Sequence, residues 1–293
     1  MQSRPFGNTG LSVSIVGFGA GHIGDPAQSE DAVGSLLNGA VDLGVTLIDT
    51  ARGYGLSEER IGRHLAHRRP QIVLSSKGGY GVEGHADWTP GCIRAGVEQA
   101  LRTMRTDYLD IMHLHSCPRH VLEHHGVAEA LHEMVQAGKV RVAAYSGENA
   151  DLEFAISLGL FGSIQTSVNV CDQRGLTTLI PQAAERGMGV IGKRAIANAF
   201  WRFEHRPEHD YCLPYWDRAR LMGLRPGDLS WAEFALRFSA WAPGVSSVIV
   251  GTSRLENLRA NVEMAARGPL PADQAESAMA LFRAYGRDWP GQV

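Results

Sequence analysis

Short apolar runs alternate along this chain with longer amphipathic segments, and that alternation predicts its architecture. Runs rich in Val, Ile and Leu read as strands at residues 14–19, 45–50, 72–77, 108–115, 140–145, 163–168, 189–194 and 247–251. Between them, segments with helical spacing and recognisable stops cover 29–43, 57–67, 89–104, 126–137, 151–158, 177–186, 230–240 and 255–266. Gly44, Gly138 and Gly187 each follow such a segment, and Pro90 takes the first helical position after Thr89. Eight strands alternating with eight helices predict an α/β fold, a (β/α)8 TIM barrel formed as one domain by residues 1–293.

Two segments fall outside the alternation. Arg4-Pro-Phe-Gly-Asn-Thr-Gly-Leu-Ser-Val13 places an Asn-Thr-Gly turn between short extended pieces, which predicts an N-terminal β-hairpin covering the barrel floor. Residues 197–228 are rich in aromatics and histidine with little periodicity, so we expect a loop over the barrel mouth with a few helical turns. A doubly wound nucleotide-binding fold competes, because Gly17-Phe-Gly-Ala-Gly-His-Ile-Gly24 has the right glycine spacing and Asp49 follows at a suitable distance. Asp25-Pro26 delays the helix that should open inside that loop, and 34 glycines make chance matches common.

Composition narrows the function classes. A net charge of −3 gives no basic footprint for nucleic acid. No apolar run approaches the roughly 18 residues of a membrane span, and the first residues lack the apolar centre of a signal peptide. A cytoplasmic protein, monomer or homo-oligomer, is the expectation. Cys92, Cys117, Cys171 and Cys212 contain no C-x-x-C pair and read as free thiols.

Lysine is rare: of 28 basic residues, only Lys77, Lys139 and Lys193 are lysines, and Lys77 and Lys193 close strand-like runs. A lysine offers a compact charge that sits close to a phenol, which the broad guanidinium does less well. The candidate phenol is in Asp49-Thr-Ala-Arg-Gly-Tyr54-Gly-Leu-Ser-Glu58, where an apolar run stops. A free phenol with a pKa of about 10 is a weak acid at neutral pH, and a nearby cation is needed to bring its phenolate within reach. In a barrel, the ends of the second, third and fourth strands are neighbours. Asp49, Lys77 and His115 would then share one rim with Tyr54.

These residues resemble the signature of the aldo-keto reductases. D-T-A-x-x-Y-G-x-S-E is similar to the family's Tyr loop, and Asp107-Tyr-Leu-Asp-Ile-Met-His113-Leu-His115 to its histidine segment. The resemblance implies a tetrad: Tyr54 as general acid or base, Lys77 and Asp49 tuning it, His115 orienting the carbonyl. It implies NADP(H), with NAD(H) as the second choice, and a small carbonyl or alcohol substrate.

Cofactor contacts follow from the same resemblance. Gly19 and Ala20 close the first barrel strand. Ser146 and Gln165 would hold the carboxamide, with Gly147 standing where the family has asparagine. Lys193 stands where the family often places an aromatic; its stem would cover the nicotinamide ring or its charge would meet the pyrophosphate. Gly251, Thr252, Ser253, Arg254, Asn257 and Asn261 resemble the adenosine-phosphate site, a strand running into a helix N-terminus.

Trp201, Phe203, Tyr211, Tyr215 and Trp216, with Tyr80, Trp88 and Cys117, are candidates for an apolar substrate pocket. Two other functions stay open. One is a cofactor-sensing regulatory barrel with little turnover. The other is a metal-dependent hydrolase, since His113 and His115 lie two apart on a strand and face the same way.

Overall fold

The computed structural model describes residues 1–293. Strands β1 (Ser3–Pro5) and β2 (Ser12–Ser14) form the antiparallel hairpin. Strands β3 (Val16–Gly19), β4 (Leu47–Asp49), β5 (Val73–Gly78), β6 (Leu109–His115), β7 (Val140–Ser146), β8 (Ser163–Ser167), β9 (Gly189–Lys193) and β10 (Ser247–Gly251) are all parallel, and β10 pairs with both β9 and β3 to close a barrel. The nucleotide-binding alternative fails here, because its sheet is open.

The helices in chain order are α1 (Glu30–Asp42), α2 (Ser57–Leu65), α3 (Pro90–Met104), α4 (Arg119–His124), α5 (Val127–Gln136), α6 (Asn149–Ser157), α7 (Arg174–Thr177), α8 (Leu179–Glu185), α9 (Leu213–Met222), α10 (Trp231–Ala240), α11 (Leu255–Ala266) and α12 (Ala272–Tyr285). Side-chain caps start three of them: Ser29, Thr89 and Ser230 accept from the backbone N–H of Ala32, Cys92 and Glu233. Each such cap contributes about 1 kcal/mol.

Three departures from the sequence pattern have physical reasons. The segment expected as one helix over 177–186 breaks at Thr178, because Pro181 has no N–H to give the Thr177 carbonyl and its ring crowds it. Helix α12 escaped the pattern because alanines carry much of its apolar face; Ala278 and Phe282 are its buried positions. The region over 197–228 holds two short kinked turns at Ala197–Arg202 and α9, whose Tyr215, Ala219 and Met222 join Phe234 and Phe282 in a second core beside the barrel.

The hairpin seals the floor. Phe6, Leu11 and Val13 pack with Leu47, Val73, Ile111, Val142 and Ile191 inside the lower barrel. A Cβ on Gly189 would lie 2.7 Å from the Phe6 ring, so the plug requires glycine in β9 at that level. Polar side chains are left to collect at the opposite end, where the strands stop.

Candidate active site

Register brings the rim together: Gly19 pairs with Asp49, Lys77 with His113, and His115 with Ser146, which in turn pairs with Gln165. Asp49 and Lys77 meet in a buried ion pair, with Lys77 Nζ donating to Asp49 Oδ2 at 2.5 Å and to the Thr50 carbonyl at 2.8 Å. The other carboxylate oxygen accepts from Ser75 Oγ at 2.8 Å and from Gln165 Nε2 at 3.0 Å. Lys77, Ser75 and Gln165 together satisfy this carboxylate and the neighbouring carbonyl, which compensates the charges for leaving water.

Tyr54 sits above that pair. Its backbone turns on Ala51, with Tyr54 N–H donating to the Ala51 carbonyl at 3.0 Å, and Lys77 Nζ lies 5.3 Å from the ring centroid. Lys77 makes no direct bond to the Tyr54 hydroxyl. The loop is pressed against the glycine-rich segment after β3, where a Cβ on Gly24 would fall 1.8 Å from the Tyr54 carbonyl oxygen. Gly24 thus serves close backbone packing.

His115 meets the Tyr54 ring edge-on, 6.2 Å between centroids. Its Nδ1 lies 2.6 Å from Tyr80 Oη, and the two rings stack. Burial, together with the Lys77 charge, holds the imidazole down to about 3, so it is neutral at ordinary pH.

His113 lies one step below on the same strand face, fully buried, and neither ring nitrogen has a well-formed hydrogen bond. Burial drives its pKa well below the ordinary histidine range. No group of three or more His, Cys, Asp or Glu side chains is arranged to hold a metal ion.

Ser146 Oγ donates to Gln165 Oε1 at 3.1 Å, so Gln165 bridges Ser146 and Asp49. Two residues past the end of β7, Glu148 is the hub of a cluster with no signal in the sequence. Its carboxylate accepts from Thr166 Oγ1 at 2.7 Å and from the Ser167 backbone N–H and hydroxyl at 2.9 and 2.8 Å. Lys193 Nζ and Arg194 Nη1 approach Glu148 Oε1 at 3.2 and 3.4 Å. Burial lowers the Lys193 pKa, and Glu148 opposes the shift.

One cavity of about 780 Å³ opens above these groups. Tyr54, His115, Gly19, Ser146, Gln165, Lys193 and Gly251 line it, joined by His22, Arg194, Arg202, His209 and Tyr211. Ala20 is buried behind the wall, where its carbonyl accepts from Ser57 Oγ at 2.9 Å. Thr252, Ser253, Arg254 and Asn257 lie beyond the cavity at the start of α11, and Asn261 is buried one turn further along it. There Thr252 Oγ1 accepts from the Arg254 backbone N–H at 3.1 Å and from Asn257 Nδ2 at 3.3 Å.

Of the aromatics expected to line an apolar pocket, only Tyr211 reaches the cavity. Tyr215 belongs to the second core, with Trp201, Phe203 and Trp216 packed against it; Trp88 packs against the main core, and Cys117 is buried within it. Residues 290–292 cross beside the mouth. Gly291 exchanges two hydrogen bonds with the Asn149 side chain, and the Gln292 N–H donates to Asp172 Oδ2 at 3.1 Å.

A closed barrel with its polar cluster at the carboxyl ends of the strands defines a (β/α)8-barrel protein of the kind that works from that face. The Aldo/keto reductase family model matches residues 15–281, and the chain belongs to that family, as an oxidoreductase of its carbonyl-reducing class. It is 28% identical over 280 residues to the L-galactose dehydrogenase of Arabidopsis thaliana, covering 89% of this chain and 87% of that one. An L-glyceraldehyde 3-phosphate reductase of Escherichia coli O157:H7 is 27% identical over 310 residues, covering 90% and 87%. An aldo-keto reductase from Bacillus halodurans, solved in its holo form, superposes with a TM-score of 0.84 at 26% identity, covering 96% of each chain. No helix is long and apolar enough to cross a membrane.

Proposed function

We propose that this protein interconverts an aldehyde or ketone and its alcohol by direct hydride transfer, with Tyr54 as the general acid and base. What carries this reading is one arrangement: the buried Asp49–Lys77 pair beneath Tyr54, with His115 against the same ring, at a single cavity. Lys77 is pinned by Asp49 and the Thr50 carbonyl, so its charge stays beside the phenol as the proton leaves. The neutral His115 can hydrogen-bond the carbonyl oxygen without competing for the proton. Tyr54 then gives its proton to the oxygen of the reduced carbon, or takes one from an alcohol.

A bound nicotinamide dinucleotide, the cofactor class of this family, supplies or accepts the hydride. The cavity fits such a group: Ser146 and Gln165 offer an amide-binding pair, and Arg194, Arg202 and His22 offer cationic or donor partners to phosphates. Lys193 contributes its stem and a charge already engaged by Glu148. Thr252, Ser253, Arg254 and Asn257 at the start of α11, beside Gly251 and backed by Asn261, suit a 2′-phosphate, which favours NADP(H) over NAD(H).

The polar lining favours a hydroxylated carbonyl substrate over a purely apolar one, in keeping with relatives named for L-galactose and L-glyceraldehyde 3-phosphate. Fluorescence titration with NADPH and NADH, followed by turnover against a panel of sugar and simple aldehydes, tests the reading. Binding of neither cofactor would overturn it.

A further inference from the structure

His115 is the member of the cluster whose action depends on which nitrogen carries its proton. A neutral imidazole has one N–H and one lone pair, and it can donate to a carbonyl oxygen only from the protonated nitrogen. His115 lines the cavity, but its Nδ1 is turned to Tyr80 Oη at 2.6 Å. Tyr80 is not among the cavity-lining residues, and its hydroxyl makes no other hydrogen bond. Its contact with that cavity runs through the histidine.

Two proton arrangements satisfy that contact. In one, the phenol donates to a bare Nδ1 and the histidine proton sits on Nε2. In the other, Nδ1–H donates to the phenol oxygen, leaving the phenol proton without an acceptor. A phenol is the stronger donor and an imidazole lone pair the stronger acceptor, so the first arrangement wins.

We propose that Tyr80 is a positioning residue: its hydroxyl fixes His115 as the Nε2–H tautomer and holds the ring so that this N–H faces the substrate oxygen. The second half rests on the carbonyl-reducing reading; the tautomer itself does not.

The loop carrying Tyr80 is built to hold that hydroxyl still. Gly79 has φ +128° and a Cβ there would lie 2.1 Å from the Trp88 ring, so only glycine lets the indole close over the turn. Trp88, itself at φ +58°, donates its backbone N–H to the Gly79 carbonyl at 2.7 Å and meets the Tyr80 ring edge-on. Gly81 is held from both sides, donating to Asp87 Oδ1 at 2.9 Å and accepting from Arg52 Nε at 2.8 Å. On the Tyr54 loop, a Cβ on Gly53 would come 3.0 Å from Tyr80 Oη, so that residue is bare where the hydroxyl passes.

The test is long-range proton–nitrogen NMR on protein labelled with 15N-histidine, with His115→Gln identifying the His115 signals by their loss. The proposal requires a bare, hydrogen-bonded Nδ1 and a protonated Nε2 in the wild type. In Tyr80→Phe, which keeps the ring stack, the Nδ1 signal should move toward that of an unbonded lone pair. A proton on Nδ1 in the wild type, or an Nδ1 signal unchanged in Tyr80→Phe, would overturn it.

In the NADPH-dependent assay, Tyr80→Phe should lower kcat about tenfold, or about 1.4 kcal/mol of barrier, with KM and NADPH affinity within about twofold. An unchanged kcat would refute the positioning role. Should Tyr80→Phe fail to fold, Gly53→Ala displaces the hydroxyl instead and should shift the same Nδ1 signal. If no cofactor binds at all, the reductase reading falls while the spectra still decide the tautomer.

Discussion

Lys77 Nζ and Asp49 Oδ2 lie 2.5 Å apart with both side chains 1% exposed, so each charge is held in place by the other. Removing one partner strands the remaining charge. Lys77→Met is expected to cost about 3–5 kcal/mol of stability, measured by denaturant unfolding. Asp49→Asn/Lys77→Met should recover much of that loss, because the amide oxygen that replaces the carboxylate can still accept from Ser75 and Gln165. Turnover should stay lost in the double variant; its return would deny the pair a chemical role.

Tyr54→Phe removes only the hydroxyl, which makes no hydrogen bond in the structure. Turnover is expected to fall by roughly 10²–10⁴, the usual worth of a positioned proton donor, with fold and cofactor affinity kept. Stopped-flow turnover beside fluorescence titration checks both halves.

Acid should weaken this protein through its two barrel histidines. His115 is depressed to about 3 and His113 well below the ordinary value, so between the unfolded value of about 6.5 and the native ones the unfolded chain binds protons that the native state refuses. Stability therefore falls as pH drops below about 6.5, by up to roughly 1.4 kcal/mol per pH unit for each group. Asp172, raised by burial to about 6, pulls the other way, so the informative quantity is a difference. His113→Met should flatten the slope of melting temperature against pH between 6.5 and 5 and, by removing an unpaired buried imidazole, leave neutral-pH stability unchanged or higher.

Lys193→Met keeps the stem and deletes a charge that Glu148 already holds at 3.2 Å. We expect NADPH affinity to fall less than about fivefold, while the unfolding midpoint drops because Glu148 loses one of its two cations. A loss beyond about a hundredfold would place the ammonium directly on the cofactor.

The barrel strands were readable because each is a short apolar run stopped by a polar or glycine residue, as in Ile72-Val-Leu-Ser-Ser-Lys77. Asp49, Lys77 and His115 stood out for the same reason, each closing or following such a run. In the sequence Tyr80 reads only as a pocket aromatic and Glu148 carries no signal, because both act through spatial neighbours. Tyr80 meets a residue 35 positions away, and Glu148 gathers partners 18, 19, 45 and 46 positions away. Trp201, Phe203 and Trp216 misled because an aromatic near a mouth and one in a second core look alike in sequence.

Phe6, wedged against Gly189, has a kinetic meaning beyond stability. With the barrel axis stoppered at one end, two reactants that share the cavity must use the same doorway. Where one reactant lies over the other, the deeper must arrive first and depart last, and product-inhibition patterns would then show a compulsory sequence and not random entry.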